Sequence, residues 1–197
     1  MPALSVSIDG KAIATVCTDG YDVLDVRVSG TRVDEELACL DVSGGSYPQE
    51  GESTYLIWVC ELPLRPSQLV TISFLESGSS SHKGKTVAEM FPDEEPTTIT
   101  DFTPTPKMIN ELQAKPRLRE KFSFRLNSSL GTAYVGETEP DEHGFGMSLL
   151  WNSSQPERAK VSLHSFSLES LAAHGPLNKH VEEHMHFGGS VRFELVA

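Results

Sequence analysis

The sequence predicts a mainly β protein with an antiparallel, sandwich-like arrangement of strands. Apolar residues recur at every second position in most segments, as in Leu4, Val6 and Ile8 of the first. Gly and Pro separate most of these segments at short intervals. Long helical patterns do not alternate with the strands, as a parallel sheet would require. Closely spaced strands joined by short turns therefore favour a sandwich or barrel.

The first part of the chain carries six segments with this alternation. They cover residues 4–8, 12–17, 23–28, 38–42, 55–59 and 69–75. Asp9-Gly10 supplies the first turn. A loop rich in Gly and Ser follows the sixth segment and leads into a short helix, for which Thr86 and Glu89 form a capping box. The order of elements is thus six strands and then a capped turn.

The composition changes over residues 91–116, where proline, threonine and acidic residues dominate. Proline lacks a backbone donor and breaks strand pairing, so this stretch cannot maintain a sheet ladder. Within it, Thr105-Pro106 predicts the start of a helix over residues 107–114 that has apolar residues on one face. We interpret the stretch as a connector with a short packed helix.

After the connector the strand pattern resumes. Six further strands are predicted at residues 121–126, 132–135, 146–151, 160–166, 183–187 and 190–196. A helix over residues 168–174 interrupts them and is stopped by Gly175-Pro176.

These features divide the chain into an N-terminal β half (1–91), a Pro/Thr-rich connector with a short helix (92–120) and a C-terminal β half (121–197). The halves are alike in plan, which suggests a tandem duplication, although regular strand spacing alone produces the same likeness. Two separate cores and one continuous domain are both compatible with this pattern.

The charge of the chain restricts its partners. Its 197 residues include 16 Lys and Arg against 28 Asp and Glu, a net charge of −12. Nucleic acids and anionic membranes need a basic surface, so we expect the chain to bind neither of them. An acidic protein attracts basic partners, although simple solubility accounts for the same charge.

Three further observations indicate a cytoplasmic protein. No apolar run reaches the ~18 residues of a membrane span, and no signal peptide is visible at the N-terminus. Cys17, Cys39 and Cys60 are odd in number, widely spaced and placed in apolar segments. Buried, reduced thiols are the expected interpretation, and reduced thiols suit the cytosol.

The loop before the first helix resembles a phosphate-binding loop only in the order of its parts. Gly84-Lys85-Thr86 opens a helix after an apolar strand, but five residues separate Gly78 from Gly84 where the motif has four. The extra residue changes which amides converge. Nucleotide binding through Lys85 is therefore the weakest functional hypothesis, and we expect no nucleotide or other cofactor.

The C-terminal half contains a cluster formed by His180, His184 and His186. On a helix, residues 180–184 (HVEEH) would fit the H-x-x-E-H pattern of inverted zinc proteases, with Glu183 as base. On a strand, His184 and His186 share a face and His180 lies beyond it. The alternating residues that follow favour a strand. A metal-dependent hydrolase that uses the His180–His186 cluster is the alternative function. The cluster lacks a third ligand of obvious identity, and His164 and His174 are the candidates to approach it in space.

The principal hypothesis is a non-catalytic binding protein whose acidic surface engages a protein partner, such as an immunity or inhibitor protein or an accessory subunit. No catalytic constellation reaches credible spacing, and we assign no catalytic residue. Two acidic segments are expected to be exposed loops that bind the partner. The residues assigned to them are Asp93, Glu94, Glu95, Glu137, Glu139, Asp141 and Glu142. Nothing in the sequence indicates an oligomeric state.

Overall fold

The computed structural model describes residues 1–93 and 104–196, and in these residues twelve strands form two six-stranded antiparallel sheets packed into a sandwich. The mainly β, sandwich-like prediction is confirmed. The strands are β1 Ala3–Ile8, β2 Lys11–Cys17, β3 Val23–Thr31, β4 Ala38–Ser46, β5 Thr54–Leu64, β6 Leu69–Leu75, β7 Ser123–Ser128, β8 Ala133–Glu137, β9 Glu142–Asn152, β10 Arg158–Ser167, β11 Asn178–His186 and β12 Ser190–Val196. The helices are α1 Val87–Met90, α2 Pro106–Ala114 and α3 Leu168–Ala172. Among the described residues, none of the helices has the length and apolarity needed to cross a bilayer.

Strands from both halves of the chain lie side by side in each sheet. The first sheet has the order β2-β1-β6-β12-β7-β8 and the second the order β11-β10-β9-β3-β4-β5. In the first sheet the order from one edge is β2-β1-β6, and from the other edge it is β8-β7-β12, so each strand number is higher by six. The second sheet shows the same relationship, with β5-β4-β3 from one edge and β11-β10-β9 from the other. Phe74, Phe124, Phe145 and Phe193 belong to one hydrophobic cluster, so residues of both halves share this core. The duplication itself stays a hypothesis.

The cysteines differ from expectation in their burial. Cys17, Cys39 and Cys60 are free thiols, and each is half-buried rather than buried. The cause is strand alternation, because the neighbouring positions Val16, Ala38 and Val59 supply the side chains that pack in or against the core.

The Gly/Ser-rich loop of residues 78–85, which we call the edge loop, covers two exposed sheet edges. The Oγ atoms of Ser80 and Ser81 accept hydrogen bonds from the backbone amides of Cys17 and Thr15 in β2, at 3.0 and 3.1 Å. Farther along, Lys85 exchanges two backbone hydrogen bonds with Ile57 of β5, at 2.8 and 2.9 Å. Covering an edge strand blocks unwanted strand pairing. The amide of Lys85 is thus engaged in sheet pairing.

The predicted capping box after the edge loop is confirmed. The amide of Glu89 donates to Oγ1 of Thr86 at 3.2 Å, and the amide of Thr86 donates to Oε2 of Glu89 at 2.8 Å. Reciprocal bonds of this kind satisfy backbone donors at a helix start. Glycine at position 84 allows the loop to lie close to β5, because a Cβ there would lie only 2.9 Å from side-chain atoms of Leu56 and Trp58.

Candidate functional site

A small cavity lies at the end of the sandwich where β8 turns into β9. Its volume is about 220 Å³. The polar residues that line it are Glu139, Asp141, Glu142, Ser165, Ser167, Ser170 and Asn178. No Lys, Arg or His among the described residues lines it. We call this cavity the acidic pocket, because three of its lining side chains are carboxylates.

Glu142 forms part of the wall of the acidic pocket and is buried, with 4% of its surface exposed. The expectation that it lies in an exposed loop is wrong, because Glu142 is the first residue of β9. Its Oε1 accepts from Ser165 Oγ and from Asn178 Nδ2, the latter at 2.9 Å. Its Oε2 accepts from the amide of Glu139 at 2.7 Å. Three donors offset the desolvation of a carboxylate that enters the sandwich.

A β-bulge turns His180 into the sandwich. The pairing of β10 with β11 passes from Leu163–Val181 to His164–Lys179, so His180 is the extra residue. Its Nε2 lies 2.7 Å from Ser165 Oγ. Burial lowers the pKa of His180, and Glu142 and Glu139 act against this shift. The bulge therefore places an imidazole next to the hydroxyl that also binds Glu142.

The polar network continues across the two sheets. Nδ1 of His180 lies 2.9 Å from the hydroxyl of Tyr134, which belongs to β8 of the first sheet. Together with Ser165, Glu142 and Asn178, these residues form a chain of hydrogen bonds. A satisfied network of this kind fixes the positions of its members. It therefore holds the wall of the acidic pocket in a defined shape.

The order of groups in this network does not match nucleophilic catalysis. In a catalytic triad the imidazole lies between the carboxylate and the hydroxyl and takes the proton of the hydroxyl. Here the hydroxyl of Ser165 lies between Glu142 and His180. Ser165 is also 0% exposed. The network thus supports a positioning role for these side chains.

The three histidines of the predicted metal cluster do not converge. His180 points into the sandwich, whereas His184 and His186 are exposed on the other side of β11. The helical alternative for this segment is wrong, since it forms a strand. Glu183 accepts a hydrogen bond from Thr132 Oγ1 at 2.6 Å. In the part of the chain that the structure describes, no three His, Cys, Asp or Glu residues are grouped to hold a metal ion.

The other acidic residues occupy different surroundings. Glu139 and Asp141 are exposed beside the acidic pocket. Glu137 is exposed and pairs with Lys121 at 2.6 Å. Asp93 is exposed after α1, and Glu94 and Glu95 lie outside the described residues. Of the assigned partner-binding residues that the structure describes, Glu139, Asp141 and Glu142 lie together at the acidic pocket.

Arg32 is a residue of this region that the sequence pattern does not reveal. It follows β3 and is 1% exposed. Its guanidinium donates to the carbonyls of Pro140 and Glu139 at 2.8 and 2.6 Å, and so holds the segment beside the acidic pocket. An isolated arginine after a strand has no sequence signature, since its partners lie more than 100 residues away.

Comparison with known proteins identifies no relative. No family model, curated protein or solved structure matches the chain significantly.

Proposed function

We propose that the protein is a non-catalytic binding protein that engages a basic protein partner through the acidic pocket. An immunity or inhibitor protein and an accessory subunit are proteins of this type. The observation that carries the proposal is a cavity lined by three carboxylates without a cationic side chain among the described residues. Its volume of about 220 Å³ is smaller than the ~300–1,000 Å³ of typical small-molecule pockets. It suits one inserted Lys or Arg side chain of a partner.

The charge of the whole chain supports the same partner. A net charge of −12 accelerates the encounter with a basic surface, because the long-range field steers association. The exposed carboxylates of Glu139 and Asp141 would meet that surface first. Glu142, held by three hydrogen bonds, would then face the inserted cation.

The cytosol is the proposed compartment. Cys17, Cys39 and Cys60 are free thiols, which supports a reducing environment. The arrangement of the histidines does not favour a metal-dependent hydrolase, because His180 faces away from His184 and His186.

Affinity purification from the native host tests the proposal. The baits are the wild-type chain, the Glu139→Gln/Asp141→Asn variant and a matched Glu50→Gln/Glu52→Gln control. Glu50 and Glu52 are exposed in the β4–β5 connection, at the opposite end of the second sheet. Quantitative mass spectrometry should detect the same basic protein in similar amounts with the wild type and the control. The amount captured by Glu139→Gln/Asp141→Asn, the pocket variant, should be at least about tenfold lower. Equal recovery with all three baits would contradict the proposal.

A further inference from the structure

We propose that a second cavity at this end of the sandwich binds a small molecule that carries an oxyanion, either a phosphate or a carboxylate group. The cavity has a volume of about 560 Å³, within the ~300–1,000 Å³ range of ligand pockets. Its cationic lining residues are Arg32, Arg117, Arg119 and Lys121. We call it the basic cleft. It shares Glu139 with the acidic pocket, but its cationic residues are its own.

The first support is the buried guanidinium of Arg32, which has no directly paired carboxylate among the described residues. Its guanidinium is buried and donates to two backbone carbonyls and to Thr138 Oγ1. Among the described residues it forms no ion pair with a carboxylate, and its buried Nε has no hydrogen-bond partner. Buried charges in proteins are usually paired, because desolvation of an isolated ion is costly. A positive charge therefore remains below the cleft.

Two further guanidinium groups are engaged in the same way. Arg117 donates to the carbonyl of Pro140 at 3.2 Å, and Arg119 donates to the carbonyls of Thr31 and Glu35. In the described part of the chain neither forms an ion pair with a carboxylate. Burial lowers the pKa of Arg32, and the positive charge of Arg117 lowers it further, while Glu142, Asp141 and Glu120 oppose the shift. Bound anionic oxygen would relieve this repulsion, and a planar guanidinium fork matches carboxylate and phosphate geometry.

The remaining lining residues set the balance of charge. Lys121 is neutralised by Glu137 at 2.6 Å. The three arginines and the carboxylates of Glu120 and Glu139 then remain in the lining, which gives the cleft a positive excess within an acidic protein. Leu118 also lines the cleft and is 52% exposed. This wall provides apolar contact for the body of a ligand whose oxyanion lies against the arginines.

Titration of the full chain with two probes, inorganic phosphate and citrate, tests the proposal by calorimetry at low salt. We expect saturable binding of at least one probe with a Kd of about 1 mM or tighter, and the probe that binds more tightly identifies the type of oxyanion. Arg117→Ala should weaken binding at least about tenfold. Arg65→Ala removes an exposed arginine elsewhere and should leave binding unchanged.

Two more variants test whether the oxyanion binds in the basic cleft. Leu118→Glu adds a negative charge to the cleft without removing an arginine contact, and it should also weaken binding. Glu139→Gln/Asp141→Asn should preserve or strengthen oxyanion binding while it weakens binding of the protein partner. The proposal for the basic cleft and the proposal for the acidic pocket can therefore be contradicted independently. No saturable binding of either probe to the wild type would overturn the proposal. Equal weakening by Arg117→Ala and Arg65→Ala would overturn it as well.

Discussion

The hydroxyl of Ser165 lies 2.7 Å from Nε2 of His180 and joins β10 to the bulge in β11. The same hydroxyl donates to Oε1 of Glu142, which forms part of the wall of the acidic pocket. One serine thus connects the buried imidazole with the carboxylate that faces the cavity. The shape of the acidic pocket depends on this contact.

Ser165→Ala should lower the free energy of unfolding by about 1–3 kcal/mol, because Glu142 and His180 each lose a buried hydrogen-bond partner. Urea unfolding at neutral pH measures the change. Ser162→Ala is the control, since its hydroxyl pairs with Ser148 at 3.0 Å in a partly buried position outside the network. A loss no larger in Ser165→Ala than in Ser162→Ala would show that the network does not stabilise the fold.

Stability should fall as the pH drops below about 6.5. Burial lowers the pKa values of His143, His164 and His180 below their ordinary value of 6.5. In this range the unfolded chain binds more protons than the folded one, so the stabilisation present above pH 6.5 is lost on acidification. Urea unfolding between pH 8 and pH 5 measures the slope. His180→Gln should reduce it, and an unchanged slope would exclude His180 as a contributor.

The contribution of Asp25 to the stability of the fold should have the opposite dependence on pH. Burial is the main cause that raises its pKa from 3.8 to about 6, Arg27 opposes the shift, and Asp41 adds to it. Its Oδ1 is buried without a partner among the described residues. The folded chain binds the extra proton between these pKa values, so the stabilisation present at low pH is lost as the pH rises through about 6.

Asp25→Asn should therefore stabilise the protein by about 1–2 kcal/mol at pH 8 and by little at pH 4, where the aspartate is already protonated in the fold. Thermal unfolding at both pH values provides the measurement. Asp19→Asn removes the same charge at an exposed turn and should change stability by no more than about 0.5 kcal/mol. A destabilised Asp25→Asn protein at pH 8 would contradict the assignment.

The edge loop should protect the amides of β2. In Ser80→Ala/Ser81→Ala, the amides of Cys17 and Thr15 lose the hydroxyl acceptors that lie at 3.0 and 3.1 Å. Hydrogen exchange at these two amides should accelerate, because local opening no longer has to break these bonds. Ser79→Ala changes a neighbouring exposed serine and should leave the rates unchanged. Equal rates in all proteins would mean that the loop does not cover this edge.

The strands could be predicted from the sequence because alternation is a local property. Leu4, Val6 and Ile8 face the core since successive side chains of a strand point to opposite sides. The arrangement of the strands could not be predicted in the same way. The pairing of β6 with β12 and of β3 with β9 joins segments that are far apart in the chain.

The site was only partly predictable for the same reason. Charge and turn residues located the acidic segment, and Glu139 and Asp141 are indeed exposed. Glu142 is buried because donors from β10 and β11 reach it, and neither strand is near it in sequence. The inward position of His180 depends on a bulge, which alternation alone does not indicate. Arg32 depends on carbonyls contributed by the other half of the chain.

Association kinetics with the captured basic partner measure whether the acidic pocket engages a basic protein. Association rates are compared at low and physiological salt for the wild type, Glu139→Gln/Asp141→Asn and Glu50→Gln/Glu52→Gln. The pocket variant should associate more slowly at low salt, and its association rate should depend less on salt. Its dissociation rate should change less, and its free energy of unfolding should stay within about 0.5 kcal/mol of the wild-type value. The control should match the wild type. Equal association rates for all three proteins at both salt concentrations would mean that Glu139 and Asp141 do not steer the partner to the acidic pocket.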